Sequence, residues 1–222
     1  MTRARLPQKG GLPPAVGSEV QLMRKGIVYI HGKGGNAEEA EHYKPLFPEW
    51  DVVGFDYKAE TPWQALIEFP ALFDAFCREH DSVCLIANSI GALFAMYALS
   101  DRKIEKAFFI SPIVSMERLI ADMMLWANVT EAELEKKGII ETGLGEPLSW
   151  DYLCWVREHP VSWDIPTGIL YGSKDHMQSF ETVHTFAERI GAELTVMDGG
   201  EHWFHTEEQM RFLDNWIQAA QR

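Results

Sequence analysis

The sequence predicts an α/β protein with a mostly parallel sheet of about six strands, helices on both of its faces and a helical cap. Three observations carry that prediction. Short apolar runs that end in glycine-, serine- or aspartate-bearing turns alternate with longer stretches whose apolar residues recur at helical spacing. The alternation stops from Ser115 to about Pro166, where helical stretches rich in Met and Trp follow one another without a convincing strand. One apolar run, Ser82 to Asn88, breaks at Ser89 and resumes at once as a helix.

The chain justifies this element by element. Residues 1–22 carry Pro and Gly, are mildly basic and lack apolar periodicity, so they read as a mobile leader ahead of a single domain over 23–222. Gly26 to Ile30 is a buried strand, His31 to Asn36 a glycine-rich turn, and a helix is expected from about Ala37. Asp51 to Asp56 is a second strand. Pro62 to His80 has helical spacing with Pro62 where a first turn tolerates it, and Pro70 predicts a kink or two helices. After the run to Asn88 and its helix comes the strand Ala107 to Pro112, then the cap, about 115–166. Thr167 to Gly172 resumes the strand spacing. A helix from Ser179 to Ile190, a strand from Glu193 to Met197 and a last helix to about Ala219 complete the domain.

Composition narrows the function. With 222 residues, 46% of them hydrophobic, the chain can bury a core without disulfides or metal. A net charge of -13 argues against nucleic acid and anionic membranes as partners, because both attract basic patches. No apolar run is long enough to span a membrane. The N-terminus has Arg3, Arg5 and Lys9 but no apolar segment like that of a signal peptide, so a cytoplasmic protein is expected. Three cysteines cannot close a disulfide framework, and Cys77 and Cys84 read as small buried hydrophobes.

The chemistry concentrates at strand ends. A strand that turns into a helix within about two residues holds the turn residue in a strained conformation costing about 1–3 kcal/mol, and the neighbouring backbone then leaves room only for small side chains two positions either side. Here those are Ala87 and Gly91 around Ser89. Asp175 and His202 follow at the ends of two later strands, in the order Ser, Asp, His. A serine hydroxyl needs an adjacent base, for which His202 is the candidate, and Asp175 would orient that imidazole. His205 is a weaker alternative to His202; His176 reads as surface or supporting, and His31 as structural. The eight histidines form no metal-binding spacing, and the glycines after the first strand do not make a dinucleotide motif. No metal or cofactor is expected.

On His31-Gly32-Lys33-Gly34, Ala87-Asn88-Ser89-Ile90-Gly91, Gly172-Ser173-Lys174-Asp175 and Gly199-Gly200-Glu201-His202-Trp203-Phe204 the chain, over roughly residues 26–220, resembles the α/β-hydrolase-fold serine hydrolases, as a small, capped, esterase-like member. The resemblance implies a Ser89–His202–Asp175 triad and an oxyanion hole from the backbone N–H groups of Ile90 and Lys33, with Gly32 and Gly34 letting the backbone approach the substrate. Ala87 replaces the first glycine of the family motif, and the little chain ahead of Gly26 implies a reduced sheet. The expected reaction is hydrolysis of a carboxylic ester of a small apolar substrate through an acyl-enzyme. Thioesterase or other acyl hydrolase activity, and a non-catalytic small-molecule receptor, are the alternatives. The acidic cap residues Glu131, Glu133, Glu135, Glu141 and Glu146 give no attraction to the phosphates of an acyl-CoA.

Overall fold

The computed structural model describes residues 23–143 and 145–220. The leader expected over 1–22 lies outside them. Six parallel strands form one sheet in the order β2-β1-β3-β4-β7-β8. They are β1 (Lys25–Ile30), β2 (Asp51–Gly54), β3 (Ser82–Asn88), β4 (Ala107–Ile110), β7 (Thr167–Gly172) and β8 (Glu193–Met197). The central strands are near-continuous apolar runs because both faces of the sheet are covered. One face packs against α1 (Pro62–Cys77), α2 (Ile90–Ala98), α6 (Phe180–Ile190) and the cap, with Phe69, Phe73, Phe94 and Phe109 fully buried there. The other packs Tyr43 and Phe47 with Leu213, Trp216 and Ile217 of α7 (Glu207–Ala220).

The cap enters after β4 and returns at β7, two strands that pair directly with Ile110 opposite Leu170. It holds α3 (Met116–Trp126), α4 (Glu131–Lys137) and α5 (Trp150–Glu158). Aromatic contacts seat it on the body: Trp63 of α1 meets Tyr152 and Trp155 of α5 at 5.3 and 5.6 Å, and Tyr97 of α2 meets Trp155 at 4.9 Å. Such pairs contribute about 0.5–1.5 kcal/mol each beyond the area they bury. Most of the cap's aromatic content is therefore spent on packing.

Three local expectations are corrected. The segment from Ala37 is a 3-10 helix to His42, followed by a second short one at Lys44–Leu46, because the chain must turn back at once to β2. Of the kink or two helices expected at Pro70, the second is overturned: one helix runs from Pro62 to Cys77 with Pro70 inside it. The cap contains strands after all, an antiparallel pair β5 (Ile139–Ile140) and β6 (Leu148–Ser149), too short to show as sequence periodicity. Among the described residues no helix is long and apolar enough to cross a membrane.

Candidate active site

Strand order sets the site. From β1 the chain moves outward to β2, then crosses back to β3 on the other side, so β1 and β3 are neighbours whose connections leave in opposite directions. Open α/β sheets bind ligands at the carboxyl ends of such a pair. The glycine turn after β1 and Ser89 after β3 lie there.

Ser89 sits at φ 53 and ψ -121, positive φ for a residue with a Cβ. The sheet imposes that conformation: its N–H donates to the Ile110 carbonyl at 3.0 Å, and its carbonyl accepts from the Ile113 N–H at 3.1 Å. A Cβ on Gly91 would lie 2.4 Å from the His31 carbonyl oxygen, so the first turn of α2 tolerates no side chain there. Ala87 is fully buried within β3, opposite Ile30.

Behind the serine stands His202, whose Nε2 is 2.8 Å from Ser89 Oγ. Its Nδ1 lies 2.7 Å from Asp175 Oδ2. If Nδ1–H donates to that carboxylate, Nε2 is left unprotonated and able to accept the serine proton. The Asp175 side chain is 1% exposed, and its other oxygen, Oδ1, accepts from the Met177 N–H at 2.8 Å. The loops that carry Asp175 and His202 meet through glycine: a Cβ on Gly172 would lie 2.4 Å from the Gly200 carbonyl oxygen.

In the turn after β1, the Gly35 N–H donates to the Gly32 carbonyl at 3.1 Å, and Gly34 takes φ 75. Lys33 is thus an inner turn residue whose own N–H is not used by the turn. A Cβ on Gly32 would lie 3.1 Å from Ser89 Cβ, so this turn runs right against the nucleophile position. Ile90 opens α2, and a helix leaves its first N–H groups unpaired. His31 is buried beneath the turn, stacked on Tyr57 at 4.2 Å, with Nδ1–H donating to the Gly32 carbonyl at 2.8 Å. Burial pushes the Tyr57 phenol well above its usual range, so it remains a donor, to the His31 carbonyl at 2.7 Å.

The other candidates stand apart. His205 is exposed, stacked on Trp203 and bonded to the Trp203 carbonyl at 2.7 Å; His176 is exposed on the acid loop. One contact and one residue escaped the sequence reading. The Lys33 ammonium is ion-paired with Glu146 of the cap, joining the turn beside Ser89 to the β5–β6 connection. Gln178, 1% exposed, clasps the acid loop to the root of the cap. Its only sequence signal was a polar residue close behind the candidate acid, which is too common to read.

No family model matches the chain. A 78-residue stretch is 35% identical to "Putative esterase/lipase 3" of Mycoplasma genitalium, covering 33% of this chain and 27% of that protein. The chain thus matches about a quarter of the length of that curated relative. Among solved structures, α/β hydrolase domain-containing protein 10 from mouse superposes with a TM-score of 0.68 at 18% identity, over 99% of this chain and 96% of that one. Est1E from Butyrivibrio proteoclasticus with bound ferulic acid gives 0.70 at 16% identity, over 90% and 88%. The strand order and these superpositions agree: the chain has the α/β-hydrolase fold.

Proposed function

We propose that the protein is a serine hydrolase that cleaves a carboxylic ester of a small apolar substrate through an acyl-enzyme. The observation that carries this reading is the line from Ser89 Oγ to His202 Nε2 to Asp175 Oδ2, at 2.8 and 2.7 Å, with the serine at φ 53. His202 Nε2 takes the Ser89 proton as Oγ attacks the ester carbonyl. The resulting oxyanion is met by the N–H groups of Ile90 and Lys33, each such donor contributing about 2.7–4 kcal/mol in the transition state. The alkoxide leaves with the proton held on Nε2, and water, deprotonated by the same nitrogen, then releases the acid and restores Ser89.

A carboxylic ester is favoured by the 78-residue likeness to a protein named an esterase/lipase. The acidic cap and the net charge of -13 disfavour a polyanionic thioester. Cys77, Cys84 and Cys154 are free thiols, which suits the reducing cytoplasm where we place the reaction.

The test is intact mass after exposure to a fluorophosphonate, beside assays of p-nitrophenyl esters of increasing acyl length. One adduct is expected on the wild type, none on Ser89→Ala and much slower labelling of His202→Ala. Hydrolysis is expected to fall on acidification, because an imidazolium cannot accept the serine proton. A folded wild type that takes no adduct would sink the reading and bring forward a non-catalytic receptor.

A further inference from the structure

Gln178 lies in the irregular loop between β7 and α6, where no ladder of backbone bonds fixes the chain. It is nonetheless 1% exposed, and its amide is fully engaged. Oε1 accepts from the N–H groups of Val114 at 3.1 Å and Ser115 at 2.9 Å. Nε2 donates to the carbonyls of Ser115 at 3.3 Å and Met177 at 3.1 Å. Its backbone N–H reaches Asp175 Oδ1 at 3.4 Å, and its carbonyl accepts the Tyr171 hydroxyl at 2.9 Å. Burial, with the Asp175 charge adding, pushes the Tyr171 phenol up, so it stays protonated and donating.

The segment that the amide grips is what gives it reach. Ile113 donates its N–H to the Ser89 carbonyl, and Ser115 caps α3, the first helix of the cap. Residues 113–115 are therefore tied to the nucleophile at one end and to the acid loop at the other. We propose that Gln178 is a positioning residue for hydrolysis, holding the Asp175 carboxylate toward His202 and joining that alignment to the root of the cap. This rests on the reading of Ser89, His202 and Asp175 as the catalytic triad. A primary amide suits the place because it accepts and donates at once; an apolar side chain of the same size would leave buried peptide groups unpaired. With Oδ1 occupied by backbone N–H groups, Oδ2 is the oxygen left to face the imidazole.

The experiment compares wild type, Gln178→Ala and Gln178→Glu in folded fraction, kcat, KM, pH–rate profile and rate of fluorophosphonate labelling. Gln178→Ala is expected to lower kcat about 100-fold with KM little changed, since displacement of about 1 Å in a catalytic group costs that much. Labelling of Ser89 should slow in parallel. The acid limb of the kcat/KM profile should move to lower pH, because an imidazolium that loses its carboxylate is less favoured. Gln178→Glu keeps the oxygen that accepts from Val114 and Ser115 and should fall between the two. If Gln178→Ala does not fold, Gln178→Glu and Tyr171→Phe carry the same readouts with smaller displacements expected. Folded variants whose kcat, labelling rate and acid limb match the wild type would overturn the proposal while leaving the nucleophile intact. A wild type neither labelled at Ser89 nor active would overturn the triad reading, and this proposal with it.

Discussion

The corner that holds Ser89 and the corner that holds Asp175 are both strand ends of one sheet, yet side chains take different shares in making them rigid. At the serine corner the constraint is steric and made by main chain: Gly91 against the His31 carbonyl, Gly32 against Ser89, and two backbone hydrogen bonds to neighbouring segments. At the aspartate corner Gly172 and Gly200 press on each other and main chain ties Ser173, Lys174 and Asp175 to Met197, Gly200 and Gly172, but the buried loop beyond Asp175 is held by side-chain hydrogen bonds of Gln178 and Tyr171. Steric constraint lets the first corner carry a strained φ without relaxing. Hydrogen bonding lets the second place a buried charge in a loop that has no secondary structure of its own.

The largest effect is expected where strain and reactivity coincide. Ser89→Gly should abolish hydrolysis, by about 10⁴–10⁶-fold for loss of such a nucleophile. It should also stabilise the fold by about 1 kcal/mol, because glycine adopts φ 53 without penalty. Urea unfolding beside activity checks both, and a less stable Ser89→Gly would mean that the elbow is not strained. Next, Asp175→Asn keeps the shape of its corner but cannot favour the same tautomer of His202, and kcat should drop about 10⁴-fold. A loss of only tenfold would mean that the aspartate corner is structural.

Gly91→Ala sharpens the steric half of the contrast. Its Cβ would fall 2.4 Å from backbone oxygen, so a loss of about 1–3 kcal/mol or more is expected in thermal or urea unfolding. Normal stability would show that the serine corner can yield. The smallest effect belongs to Glu146→Gln. The Lys33–Glu146 pair is largely exposed, so its removal should change stability by less than about 1 kcal/mol. The sensitive readout is the salt dependence of kcat/KM. Wild type should respond to added NaCl more than Glu146→Gln does, because screening opens the link between the cap and the turn after β1.

The same contrast explains what could be read from the sequence. Demands of space and backbone conformation are written locally, as the small residues Ala87, Gly91 and Gly32 and the positive-φ Gly34 around short apolar runs, so the sheet, the elbow and the serine position were legible. Asp175 and His202 were legible as candidates because each follows a strand-like run. Gln178 was not, since its partners at 114–115 lie more than sixty residues away in the chain and nothing in its neighbours marks the contact. The β5–β6 pair is two residues per strand, below the length at which alternation is visible. The two-helix alternative at Pro70 failed for a related reason: a proline removes one hydrogen bond, and the burial of Phe69 and Phe73 on either side of it holds α1 together as one helix.

The register of β4 against β7 has a consequence for how the molecule is made. Because the whole cap is synthesised between these paired strands, a chain emerging from the ribosome presents β1 to β4, and with them Ser89 at the end of β3, well before β7 and β8 exist. On the proposed triad, the nascent protein thus carries the nucleophile without its acid or its base. On the same reading, an elongating chain is chemically silent until its last quarter has joined the edge of β4, so the ordering of translation itself would withhold activity from unfinished molecules.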